Sequence, residues 1–170
     1  MANAISVGFT SLTRFSGRDT RIQFWPYCAS VLGLAMVANM AVFVWILTPL
    51  LAKTEVAPIP DFNLAIGGVA LWAGAVVVLL ASAVTRRLHD IGRSGYWGLM
   101  PLPFLFGGFF LMSRFFSKFL NSPAPDLSIF FMLFANNFVY LALLGLLIYF
   151  LRQKSDAMEN RFGRSPSAVL

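Results

Sequence analysis

Charge is scarce in this sequence. Asp, Glu, Lys and Arg make up 12% of its 170 residues, hydrophobic residues make up 58%, and the mean hydropathy is +0.75. Soluble domains carry about 25% charged residues. A chain this apolar is not solvated all round, which points to the membrane class. Cysteine is almost absent: Cys28 stands alone. That excludes an internal disulfide and a cysteine-based metal framework, and leaves the thiol as a small apolar packing group. Histidine is just as scarce. His89 is the single one, and a catalytic zinc site needs several protein ligands. With only Asp90 and Glu159 as companions for His89, neither a catalytic site nor a bound metal or other cofactor is expected.

Other absences narrow the field further. The bases begin after position 13 and the first long apolar run starts at position 26, so no cleavable signal peptide is expected at the start. Residues 92–95 lack the spacing and the lysine of a phosphate-cradling nucleotide loop. The net charge of +6 comes without a base-reading motif or a continuous basic helix. Nucleic acid is therefore not the expected partner, and anionic lipid headgroups are the nearer one. Within the four long apolar runs there is no ionisable Asp, Glu, Lys or Arg. That counts against an ion pump or a proton-coupled carrier.

What is present is a set of long hydrophobic segments. Residues 26–51, 64–84, 96–112 and 127–151 each approach or exceed the roughly 20 apolar residues that cross a bilayer core. The expectation is an all-α integral membrane protein, a single domain built as a four-transmembrane-helix bundle. An interfacial, amphipathic N-terminal segment leads in, and a polar tail follows at 152–170. Pro26 suits a first helical turn. The second span is rich in small residues, with Ala70 and Gly74 at the spacing of close helix contacts, and is read as central. Pro101 and Pro103 predict a kinked or partly unwound third span. Residues 113–126 read as a loop, partly on the membrane surface. Asn39, Asn136 and Asn137 are the polar groups at membrane depth. They are expected to bond between helices, or alternatively to line a solute pathway.

The bases set the threading. Arg14, Arg18 and Arg21, then Arg86, Arg87 and Arg93, then Arg152, Lys154, Arg161 and Arg164 lie in alternate segments, while Lys53, Arg114 and Lys118 lie in the two opposite loops. The basic excess stays inside, so both termini and the central polar stretch are expected on the cytoplasmic side. Three distant polar motifs then share one membrane face. These are Gly17-Arg18-x-x-Arg21-x-x-Phe24-Trp25, then Arg86-Arg87-Leu88-His89-Asp90-x-Gly92-Arg93-Ser94-Gly95-x-Trp97, then Glu159-Asn160-Arg161-Phe162-Gly163-x-x-Pro166. If the first is helical, Arg18, Arg21 and Trp25 share a face. There is also a faint echo between residues 17–26 and 92–101, as a two-plus-two duplication would leave.

These motifs, in this order and over nearly the whole chain, resemble the bacterial domain-of-unknown-function 805 family. The resemblance implies a small protein of the bacterial inner membrane and its topology, and it supplies no activity. Residues 155–158 depart from the more glycine-rich approach of that family to the Glu-Asn-Arg element.

Function is read from the residues. Arg18, Arg21, Arg86, Arg87, His89, Asp90, Arg93 and Arg161 form a candidate site for an anionic lipid or phosphate-bearing ligand, because the arginine fork matches phosphate oxygens. The blander readings are that these charges fix topology, or that Arg86 and Asp90 form a four-residue helical ion pair. Asp90 and Glu159 are the expected acidic partners of the arginines. Trp25, Gly92, Ser94, Gly95, Trp97, Glu159 and Asn160 are expected to be structural, with Gly92 in a left-handed conformation and Ser94 capping the next helix. The leading expectation is a non-enzymatic membrane protein binding anionic lipid. The alternatives are a structural or regulatory subunit docking a protein partner, or a small-solute transporter or channel; a homo-oligomer or another membrane protein is an expected partner beside the lipids.

Overall fold

The computed structural model describes residues 2–51, 62–121, 127–156 and 158–163. The helices are α1 (Ala2–Thr10), α2 (Arg21–Leu51), α3 (Phe62–Asp90), α4 (Leu102–Asn121) and α5 (Leu127–Arg152), and a 3-10 turn at Gly95–Leu99 precedes α4. Among the described residues four segments are long and apolar enough to cross a membrane: Arg21–Val44, Asn63–Asp90, Gly95–Phe119 and Leu127–Arg152. This is an all-α, four-helix multi-pass membrane protein, and α3 touches α2, α4, α5 and the 3-10 turn.

Several boundaries differ from the sequence expectation. The helix of the first span begins at Arg21, so Pro26 sits in its second turn rather than its first. Arg18 lies outside that helix, so Arg18, Arg21 and Trp25 do not share a helical face. Most of the predicted 52–63 loop lies outside the described residues. The third span opens as a 3-10 turn ahead of Pro101, as its prolines require. It then continues as regular helix to Asn121, through most of the predicted 113–126 loop; residues 122–126 lie outside the described residues. The phenylalanines read as a surface loop stack instead along α4 and against α5: Phe115 lies 5.8 Å from Phe119 and 6.1 Å from Phe130 between ring centroids.

Buried residues gather at one end of the bundle. Phe24, Tyr27, Cys28, Val31, Ala83, Leu88, Phe150 and Leu151 form one cluster. Further along, side chains such as Met36 and Leu71 are more than 70% exposed, as a lipid-facing surface allows. Tyr27 is the pivot of the buried end. Its hydroxyl donates to the Leu79 carbonyl at 2.7 Å, tying α2 to α3. Phe9 packs edge-on against its ring at 5.2 Å, and Gly8 lies flat on the same ring.

The intramembrane asparagines divide. Asn136 Nδ2 donates to the Phe104 carbonyl at 2.8 Å, joining α5 to α4. Gly107 and Gly108 make the slot, since a Cβ on either would sit 3.2 Å from the Asn136 amide. Asn39 and Asn137 depart from the interhelical expectation. They donate to carbonyls of their own helices, Ala35 at 2.8 Å and Leu133 at 2.9 Å. Asn137 also borders an apolar cleft of about 410 Å³ between α3, α4 and α5.

Gly8 gives a direct check. A side chain there overlaps the Tyr27 ring, so Gly8→Val is expected to undock α1 and cost about 1–3 kcal/mol. Gly145→Ala, where a Cβ meets nothing within 4 Å, is expected to leave thermal unfolding in detergent unchanged or slightly raised. Equal behaviour of the two variants would contradict the docking of α1 on Tyr27.

Candidate functional site: an arginine layer at one end of the bundle

Every helix end leaves carbonyls without intrahelical partners, and these carry partial negative charge. Here α1, α3 and α5 all end in the same polar layer. The α3 end is closed partly by its own chain. Gly92, at φ +71°, turns the backbone; Arg93 N–H donates to the Leu88 carbonyl at 2.9 Å and Gly92 N–H to His89 at 3.1 Å. That is the Schellman arrangement expected of a left-handed glycine after a helix. Ser94 then caps the 3-10 turn by accepting from Tyr96 N–H. Gly95 fits because its missing Cβ leaves room for Thr85.

Three arginines close the remaining ends, each reaching to a different element. Arg86, on α3, donates to the Ser11 carbonyl at 2.9 Å and the Arg14 carbonyl at 2.5 Å, just beyond α1. Its Nε donates to Asp19 at 2.9 Å. Arg87, also on α3, donates to the carbonyls of Leu151 and Gln153 at the end of α5. Arg18 reaches the end of α3 and the tail. It donates to the carbonyls of Asp90 at 3.1 Å, Asp156 at 2.6 Å, Met158 at 2.9 Å and Gly163 at 3.2 Å. The centre is the Asp90 carboxylate. One oxygen accepts from Arg18 Nε at 3.1 Å, the other from Arg87 Nη1. Both Arg87 and Asp90 are fully buried.

The tail seals the layer. Asp156 N–H donates to the Asp90 carbonyl at 3.0 Å and Asn160 Nδ2 to the His89 carbonyl at 3.0 Å. Asn160 and Gly163 exchange backbone hydrogen bonds around a tight turn, with Gly163 at φ +121°. The turn lays Phe162 flat on His89, with ring centroids 3.8 Å apart. Arg93 stacks over Phe150 at 3.8 Å and Trp97 at 5.3 Å, and Trp97 meets Phe150 edge-on.

The predicted site residues therefore converge, but they do not form one open pocket. Arg18, Arg86, Arg87 and Asp90 are buried and bonded to one another or to backbone. Arg93 and His89 are half-buried against aromatic rings, while Arg21, Arg161, Trp25 and Glu159 are exposed. The expected Arg86–Asp90 pair is replaced by Arg86–Asp19 and Arg87–Asp90. Glu159 forms no ion pair among the described residues; Asp19 takes the acidic role foreseen for it. Sequence reading missed Asp19 and Asp156, and also the carbonyls. The signal available for Asp19 was its place beside Arg18 in the first motif. Among the described residues no group of His, Cys, Asp and Glu is arranged to hold a metal.

Two outcomes follow for stability. Asp90→Asn leaves two buried guanidiniums short of a carboxylate, and Arg87→Lys replaces a fork with a single ammonium. Each is expected to cost about 3–5 kcal/mol, against less than about 0.5 kcal/mol for exposed Arg161→Ala; thermal unfolding in detergent compares them. The second outcome concerns pH. Burial raises the Asp19 carboxyl above its ordinary 3.8, and the neighbouring Arg86 offsets this only in part. The folded state thus binds that proton more tightly. Its contribution to stability is complete below 3.8 and is lost as pH rises through the raised folded value. Asp19→Asn is expected to flatten this part of the stability–pH profile, and an unchanged profile would contradict it.

A family model described as "Protein of unknown function (DUF805)" matches residues 12–164. No curated protein and no solved structure matches the chain. The matched region spans the arginine layer and all four membrane helices, and the chain belongs to the DUF805 family.

Proposed function

We propose that this is a non-enzymatic protein of the bacterial inner membrane whose arginine layer faces the cytoplasm and presents exposed bases to anionic lipid headgroups. The observation that carries this reading is the division of labour among the arginines. Arg18, Arg86 and Arg87 are held by internal acceptors, so they fix the platform. Arg14, Arg21, Arg152, Lys154 and Arg161 are exposed around the same end of the bundle, where anionic headgroups attract cations at about 1 kcal/mol each. The orientation rests on the basic excess in the three segments that build this end.

The buried layer also favours a second reading, a structural or regulatory subunit whose rigid polar end docks another membrane protein. The two are separated by native mass spectrometry of protein solubilised gently from membranes containing phosphatidylglycerol. The lipid reading expects bound phosphatidylglycerol that falls sharply in Arg21→Ala/Arg152→Ala/Arg161→Ala, with thermal stability kept. Unchanged lipid retention in that variant sinks it. A co-purifying chain lost in the same variant supports the docking reading instead.

A further inference from the structure

Asn39 poses a problem that the described residues leave unsolved. It lies in the first membrane-spanning segment, Arg21–Val44, with its side chain exposed. Its amide nitrogen donates to the Ala35 carbonyl at 2.8 Å. Its carboxamide oxygen has no partner among the described residues. Hydrocarbon offers such a group nothing, and an unmet polar group there is costly. Asn136 meets the same demand within the chain, by reaching α4. Asn39 faces outward instead.

Trp25, Ala29, Leu32, Met36, Asn39 and Phe43 alternate at spacings of four and three residues, and every one is exposed. That spacing is the one the seam of a left-handed helix pair requires. A single asparagine in such a seam fixes register and partner number. The helix that meets it must offer an amide-like group at the same depth. A second copy, related by a twofold axis along the membrane normal, presents its own Asn39 there, and a carboxamide is both donor and acceptor.

We propose that two copies of this chain pair in parallel through α2, with the two Asn39 carboxamides hydrogen-bonded to each other. The seam runs from Trp25 outward, so the two arginine layers lie side by side on one membrane face.

The test uses the full chain in membranes, with Cys28→Ser as background. Met36→Cys is expected to oxidise to a disulfide-linked species of twice the 18.8 kDa chain mass. Leu34→Cys, on the opposite side of α2 and 65% exposed, is expected not to. In sedimentation in mild detergent, Asn39→Leu is expected to weaken the dimer about three- to tenfold. Because Asn39 bonds only its own helix, that variant is expected to retain the monomer's fold, checked by circular dichroism. Cross-linking that is absent at Met36→Cys, or equal at Leu34→Cys, overturns the proposal. So does a wild-type monomer, a different chain cross-linked at Met36→Cys, or an Asn39→Leu dimer of undiminished strength.

Discussion

The Asp90 carboxylate, held between the guanidiniums of Arg18 and Arg87, is the contact on which the rest of this structure depends. It is fully buried and stands at the end of α3, the helix that touches α2, α4 and α5. A carboxylate in that position is tolerated only because each oxygen accepts from a cation. The cations in turn are tolerated because their other N–H groups end on carbonyls. Arg18 and Arg87 each have acceptors for Nε and for both terminal nitrogens. Removing any one member leaves its neighbours short of a buried partner, so the layer is held as a unit rather than as separate bonds.

The choice of arginine follows from the acceptors. Carbonyls at helix ends point outward in several directions, and one planar fork on a long stem reaches two or three of them at once. Lysine concentrates its donors at a point. The helix ends also supply part of the compensating charge. Three cations, Arg18, Arg86 and Arg87, face two carboxylates, Asp19 and Asp90, and the partial negative ends of α1, α3 and α5 lean toward the surplus.

The four spans were legible because crossing a bilayer demands long apolar runs, which composition displays directly. The meeting of three polar motifs at one end was legible as well, because threading places alternate segments on the same face. Gly92 and Ser94 carry local signatures and were placed correctly. Asp90 was expected as an acidic partner and is one, but the rest of the partner choice was not legible. Arg87 bonds the carbonyls of Leu151 and Gln153, and a carbonyl is the same in every residue, so nothing in those two names marks them. Arg86 and Asp90 have helical pairing distance in sequence, yet the chain entering from Asp19 offers Arg86 a better-placed carboxylate. The extension of α4 past Ser113 was hidden by Arg114 and Lys118, which read as loop until Phe115 and Phe119 are seen stacking along one helix.

The tail's place in the layer has a consequence for synthesis. Arg18 and Arg87 are made early, in the first motif and at the end of α3. Their acceptors at Leu151, Gln153, Asp156, Met158 and Gly163 emerge only with the end of the last helix and the segment beyond it. Until the end of α5 and the following segment are made, both guanidiniums lack part of their acceptors. Synthesis of the segment just beyond α5 completes the layer, which makes it a chemical record of whether all four helices were threaded. A chain stopped short, or inverted at its last span, leaves those two arginines unsatisfied on the membrane face.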